Sequence, residues 1–289
     1  MNYSDSQGTL YPKGMSERTF LKFSSFVHSE LGIKMPTGKK TMLQARLSKR
    51  LRKLGIISFD EYYDFVFSGE GRAEELQNMI DVITTNKTDF FREPRHFDYL
   101  VQTALPELIH NGAIKNGRKV LVWSAGCSTG EEPYTIAIVL SEFAERCPGF
   151  QFSILATDLS TKVLKEAALG IYSEDDVETI PLGLKKKYLL KSRDRKKRMV
   201  RIVPELRSGI DFRSLNFMED DYGIRRARDV IFCRNVLIYF DRPTQEIVLK
   251  RICRHLRPGG YMFMGHSETL NGLSIALSQV APTIYRKGS

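Results

Sequence analysis

The stretch KVLVWSAGCSTGEEPYTIAIVL, residues 119–140, constrains the chain more than any other. It reads as a buried strand, a glycine-bearing turn and the start of a helix, the layout by which parallel sheets present a helix N-terminus to a nucleotide. Four further strand-like runs follow: QFSILAT, RDVIFC, GGYMFMG and TIYRKG. Helical segments separate the first four strands, so a doubly wound, mostly parallel α/β sheet is expected. Ahead of it, residues 16–93 read as helical throughout. SERTFLKFSSFVHSEL and AEELQNMIDVITTN carry apolar positions at helix period. Between residues 172 and 212, a lysine-rich helix precedes RMVRIVPELRSGIDFRSLN, which alternates like antiparallel strands. The expected organisation is a helical domain over 1–93 and a sheet domain over 94–289, with a small β-subdomain inserted at about 172–212.

Composition narrows the ligand classes. Among the 289 residues no run of about 18 apolar ones exists, so no membrane span is expected, and the N-terminus is polar rather than signal-like. The four cysteines show no CxxC pairing and the five histidines no HxxxH or HExxH spacing. No metal site is expected, and a reduced, cytoplasmic setting is the simplest reading. A formal charge of +10 calls for an acidic partner: nucleic acid, anionic lipid or an acidic protein surface.

The first turn is unusual in its charge. Gly126 and Gly130 are spaced GxxxG, no Lys or Arg follows, and Glu131 and Glu132 stand where a phosphate would sit. Two carboxylates repel a pyrophosphate, which argues against NAD, FAD and ATP. They suit a nucleoside whose other end is cationic, as in S-adenosylmethionine. Either glutamate could instead only meet the positive end of the helix dipole. Asp158, in ATDLS, falls at the carboxyl end of the second strand, where a carboxylate accepts ribose hydroxyls; the alternative is a cap on the next helix. FCRNVLIYF runs a buried strand into Arg234 and Asn235, with Tyr239 four residues on. A salt bridge to a local carboxylate is the competing account of Arg234.

Taken together, TTNKTDFFREPRHF, WSAGCSTGEEPYTIA, ATDLS, SLNFME, FCRNVLIYF and RPGGYMFMGHSE resemble the chemotaxis receptor methyltransferases, the CheR-type glutamate O-methyltransferases. The resemblance spans nearly the whole chain. It implies a Rossmann-like S-adenosylmethionine-dependent methyltransferase domain behind an all-helical N-terminal domain, with a small inserted antiparallel β-subdomain. It also implies S-adenosylhomocysteine as product and glutamates of a chemoreceptor's cytoplasmic helical region as substrate. By resemblance, Asn86, Thr88 and Arg92 close over the cofactor and Glu132 meets its methionine or sugar portion; the residues alone do not separate Glu132 from Glu131. Asp158 takes the ribose, Asn216 and Phe217 flank the adenine, and Arg234 and Asn235 lie near the methyl group. Arg92 and Tyr239 are the expected catalytic pair. One departure stands out: residues 185–201 hold ten basic residues against Asp194 and no glycine. Family members that dock a receptor's C-terminal pentapeptide carry a glycine-bearing loop there.

Substrate docking is expected on GKKTMLQARLSKRLRKLG, where residues 38–53 hold seven basic residues and no acid. On a helix, Leu43, Leu47, Leu51 and Leu54 share one face, and Arg46, Lys49, Arg50 and Lys53 would meet an acidic helical surface. A solvated helix face is the plain alternative. The rival functions are a nucleic-acid methyltransferase and a non-catalytic binding module. CRNVLIY stands where amino-methylating enzymes place a [DN]PP[YF] motif, so no nucleic-acid partner is expected. Neither membrane insertion nor oligomerisation is expected.

Overall fold

Ser16 starts the first helix and Gly32 stops it. In the computed structural model, which describes residues 14–68, 72–110 and 118–288, the Ser16 hydroxyl accepts the Thr19 N–H and Gly32 turns left-handed at φ 70°. Both devices satisfy backbone groups that a helix end leaves unpaired. Helix α1 (Glu17–Leu31) buries Phe20, Phe23, Val27 and Leu31. Helix α2 (Lys40–Leu54) buries Leu43, Leu47 and Leu51, while Leu54 of the expected stripe is exposed. Tyr62 and Val66 of α3 (Phe59–Phe67) and Met79 and Ile80 of α4 (Arg72–Ile83) complete this core.

The chain divides into compact units of residues 1–85 and 86–289, whereas the sequence placed the division after residue 93 and carried helix that far. The last helix of the first unit ends at Ile83, and residues 86–93 are irregular. Phe91 and Glu93 adopt left-handed backbone, φ 54° and 56°, which an α-helix cannot contain. Phe90 is buried in the core of the second unit. Burial of that ring ties the segment to the second unit.

In the second unit, α5 (Arg95–Tyr99) runs through a π turn at Leu100–Ala104 into α6 (Leu105–His110). Then come β1 (Val120–Ala125), α7 (Glu131–Arg146), β2 (Phe152–Asp158) and α8 (Thr161–Leu169). A small region follows: β3 (Ile171–Ser173), α9 (Leu182–Tyr188), β4 (Leu189–Lys191), β5 (Met199–Ile202) and α10 (Pro204–Ser208). The unit ends with β6 (Ile210–Ser214), β7 (Arg228–Cys233), α11 (Arg242–Arg254), β8 (Leu256–Met264), β9 (Leu277–Ala281) and β10 (Ile284–Lys287). Among the described residues these strands form one sheet in the order β6-β2-β1-β7-β8-β10-β9 and a second, β3-β5-β4. The pairs from β6 to β8 are parallel and those of β10 antiparallel. Every residue of β1 is buried, as a central parallel strand covered on both faces requires.

Two strand expectations need correction. The antiparallel insertion closes at Ile202, and GIDFRS is not part of it. That segment is β6, which pairs parallel with β2 from Ile154↔Ile210 to Asp158↔Ser214. Its alternation reflects an edge strand with one wet face, which sequence cannot tell from an antiparallel hairpin. The edge strand β9 was not anticipated; LSQVA has no buried residue and so carries no apolar signal.

Candidate active site

The chain builds β1, β2 and β6 toward one edge of the sheet, then returns to lay β7 and β8 on the other side of β1. Loops leaving β1 and β7 therefore diverge, and the crevice at their carboxyl ends is where such sheets bind ligands. The first loop is tightly determined. Gly126 and Gly130 sit at φ 83° and 100°. A Cβ on Gly126 would collide with the Val236 side chain, and one on Gly130 would come within 2.9 Å of Ala167 Cβ and the Tyr172 hydroxyl.

Asp158 holds that loop in place. Its carboxylate accepts the Ser128 N–H at 2.8 Å and the Ser160 N–H at 3.0 Å. The cap on α8 is Ser160, whose hydroxyl accepts Val163 N–H. Asp158 thus joins the second strand to the first loop, and an ionised carboxylate has acceptor sites for further donors.

The two loop glutamates are both buried but differ in partners. Glu131 receives the Thr129 hydroxyl at 2.7 and 2.9 Å, and burial pushes its carboxyl above the usual range. Glu132 accepts the Ser124 hydroxyl at 2.6 Å and Arg234 Nε at 2.7 Å. Arg234 is the hub of the site. Its Nη1 also donates to the Arg92 carbonyl at 2.6 Å, lies 3.5 Å from Glu93 Oε2 and 3.3 Å from His96 Nδ1. The guanidinium sits over the Phe97 and Phe232 rings, 5.2 and 5.7 Å from their centroids. Such a buried cation persists only when compensated this fully. The salt-bridge account of Arg234 is therefore realised, with Glu132 as the carboxylate.

His96 belongs to the same cluster as a neutral ring. Burial first, then the neighbouring Arg234 and His266, lower its pKa to about 3. With Arg234 donating to Nδ1, Nε2 carries the proton and faces Thr283 Oγ1 at 2.9 Å. Its Nδ1 lies 3.3 Å from Glu93, but no ion pair results from a neutral imidazole. Glu93, His96 and His266 converge closely enough for a metal ion; the cation that Glu93 and His96 face is Arg234.

Residues 86–93 are fastened along the carboxyl edge of the sheet. Ser128 Oγ donates to the Asn86 carbonyl at 2.8 Å, Thr179 Oγ1 to the Phe90 carbonyl at 2.8 Å, and Phe91 N–H to Thr135 Oγ1 at 3.1 Å. Glu93 Oε1 accepts the His266 N–H at 3.1 Å. Asn86, Thr88 and Arg92 are each half-buried on this segment.

After β7, Asn235 takes left-handed backbone at φ 59°. Glu268 secures it: its buried carboxylate accepts the N–H groups of Asn235, Leu237 and Gly265 at 2.9, 2.7 and 2.8 Å. These bonds also set the short 3-10 turn Leu237–Tyr239, on which Tyr239 is half-buried. Beyond β6, Asn216 Oδ1 accepts the Met218 N–H at 3.0 Å, and the buried Phe217 ring packs against Tyr222 at 6.1 Å.

Glu132, Asp158, Asn216, Phe217, Arg234, Asn235 and Tyr239 thus follow the carboxyl ends of β1, β2, β6 and β7, and the Asn86 and Arg92 carbonyls accept from Ser128 and Arg234. Profiles of the CheR methyltransferase all-alpha domain and the CheR methyltransferase SAM binding domain match residues 18–84 and 86–286. The chain belongs to the CheR methyltransferase family. A chemotaxis protein methyltransferase of Borreliella burgdorferi is 39% identical to this CheR-family chain, covering 90% of it and 91% of the relative. That of Salmonella typhimurium is 36% identical, with 94% and 90% covered. Chemotaxis protein methyltransferase 2 of Pseudomonas aeruginosa is 40% identical, with 88% and 87% covered. The donor set fits S-adenosylmethionine, the cofactor of the family: Glu131 and Glu132 buried at the start of α7, the latter paired with Arg234, and Asp158 at the end of β2, with no Lys or Arg in the turn, suit a phosphate-free, cationic nucleoside.

Within the CheR all-alpha domain, the docking expectation changes. Arg46 donates to the Thr84 carbonyl at 3.0 Å and Thr85 Oγ1 at 2.9 Å, and also reaches the Ile83 carbonyl, so it caps α4. Arg50 is paired with the buried Glu75, its Nε 2.9 Å from Oε1, and Tyr62 donates to the same carboxylate at 2.7 Å. Neither arginine is an unopposed surface cation. Lys49 and Lys53 are exposed, as is Arg52.

Glu93, His96, Ser128, Thr135 and Glu268 of this CheR chain were not anticipated as site residues. The available signal was an acid directly after a conspicuous strand or loop, in FREPRHF and GHSE. Their decisive partners, such as Arg234 for Glu93, Asp158 for Ser128 and Asn235 for Glu268, lie far away in sequence, and spacing does not reveal them.

Proposed function

We propose that this chain transfers a methyl group from S-adenosylmethionine to glutamate side chains of chemoreceptors, in the cytoplasm, giving methyl esters and S-adenosylhomocysteine. The observation that carries the reading is the acidic, cation-free glycine loop pinned by Asp158 at the point where strand order reverses. When bound, S-adenosylmethionine supplies a methyl group on a sulfonium. Asp158 receives the ribose hydroxyls, Asn216 and Phe217 take the adenine by amide and ring, and the Glu132–Arg234 pair with Asn235 forms the wall near the methyl. Asn86, Thr88 and Arg92 cover it.

The substrate makes modest demands on acid–base chemistry. A glutamate side chain, with reference pKa of about 4.3, is already an anion near neutrality, so no general base is required. What the residues must do is orient the carboxylate and exclude water, contributions of several kcal/mol. Arg92 and Tyr239 hold the incoming carboxylate from the segment and the turn that Arg234 and Glu268 fix. A tight ground-state ion pair would oppose a step that cancels charge, which suits half-buried rather than sealed partners.

The partner is the acidic helical region of a receptor, met by the exposed Lys49 and Lys53, and the protein works as a monomer. Residues 185–201 support recognition without a pentapeptide tether: the glycine loop is lacking, and some of the cations are taken up locally. Lys187 Nζ lies 2.6 Å from Glu142, and Arg198 is 2.8 Å from Asp175. Incubation with methyl-labelled cofactor and either receptor cytoplasmic fragments or RNA tests the proposal. Base-labile label on the receptor is expected; label on RNA, or none on either, would overturn it.

A further inference from the structure

At the amino-terminal edge of the main sheet, three neighbouring strands begin with cations. Arg118 and Lys119 precede β1, Arg226 precedes β7, and Arg257 lies in the first turn-out of β8. With Ser153 of β2 they line a cleft of about 630 Å³. The carboxylate among them is Asp229, fully buried, which accepts Arg118 through both oxygens at 2.8 and 3.2 Å and the Leu121 N–H at 2.8 Å. Arg257 Nε stands 3.4 Å from the same carboxylate. Among the described residues Asp229 faces both guanidiniums, while Lys119 and Arg226 are exposed and form no ion pair.

One further atom marks the deficit. The Nε atom of Arg257 is buried without a hydrogen-bond partner among the described residues. Unmade hydrogen bonds on buried cations are costly, and like charges gathered on a concave wall raise the local potential. An anion in the cleft would relieve both.

We propose that this cleft binds a phosphate-bearing small molecule. Guanidinium forks match phosphate oxygens in pairs, and a volume of this size falls in the range of small-molecule sites, roughly 300–1,000 Å³. A concave cleft favours a compact ligand over a nucleic-acid strand, which would track an extended basic groove. The site lies at the opposite edge of the sheet from the methyl-transfer crevice and stands independently of that function.

Calorimetric titration of the whole protein with inorganic pyrophosphate and with ATP tests this. Saturating S-adenosylhomocysteine is present throughout, so that adenosine cannot enter the other crevice. The comparison is a Lys119→Ser, Arg226→Ser double variant, two exposed positions that leave the Arg118–Asp229 pair intact. Both ligands should bind the wild type, and the variant should bind each at least about tenfold more weakly, with S-adenosylhomocysteine affinity unchanged. ATP tighter than pyrophosphate assigns a nucleotide; equal affinity assigns the phosphate group alone. Neither ligand binding at millimolar concentration, or equal binding by wild type and variant, overturns the proposal, as does binding confined to an RNA oligonucleotide.

Discussion

Glu268 illustrates how single residues decide this site. Its carboxylate takes three backbone N–H groups and is only 5% exposed. Glu268→Gln keeps the shape but turns an NH2 toward donors, so at least one buried N–H loses its acceptor. Loss of a charged hydrogen-bond partner of this kind costs about 1.5–3 kcal/mol. Urea denaturation should register that loss, and kcat should fall more than cofactor affinity because the Leu237–Tyr239 turn loosens. Unchanged stability would remove Glu268 from this role. His96 sets a pH dependence. Its folded pKa of about 3 is below the ordinary 6.5, so the stability linked to its neutral form is fully present above pH 6.5 and is lost as pH falls toward 3. The groups facing it are Arg234, Glu93 and His266. His96→Gln should flatten the acid limb of a stability–pH curve; an identical limb in the variant would exclude His96 as a contributor.

At the scale of elements, helix α2 separates two kinds of cation that look alike in sequence. Arg46 and Arg50 brace α4 through its last carbonyls and Glu75, whereas Lys49 and Lys53 face water. Lys49→Glu with Lys53→Glu should therefore slow receptor methylation several-fold, leave cofactor affinity intact and cost little stability, since exposed charges contribute about 0–1 kcal/mol. Arg50→Ala should behave oppositely, destabilising the helical unit because the buried Glu75 carboxylate would lose its counter-ion. Measured methylation rates and melting curves distinguish the two. If reversal of the lysines leaves the rate unchanged, α2 is not the docking helix.

For the whole molecule, the positive balance of +10 should make receptor methylation fall as salt rises, because exposed charges lose reach beyond a Debye length of about 8 Å at physiological ionic strength. Without a glycine loop in the small sheet, deletion of a receptor's C-terminal tail should change the methylation rate little. A large loss on tail deletion would show that the basic hairpin tethers receptors after all.

The features legible before folding are local ones. The strand, glycine turn and helix of residues 119–140 and the acidic loop with no Lys or Arg of its own depend on near neighbours, so they were legible as read. So was the gathering of Asp158, Arg234 and Asn235 at one edge, because parallel strands with helical crossovers place successive carboxyl ends together. Tertiary structure alone decided who pairs with whom. Arg234 meets Glu132 from 102 residues away, and Arg50 meets Glu75 from 25. A charge run carries no record of which cations are consumed, and a lone glutamate no record of the three N–H groups folded around it. The same held for β6 and the segment 86–93, whose places were set by a parallel partner strand and by burial of Phe90, interactions that exist only once the sheet has formed.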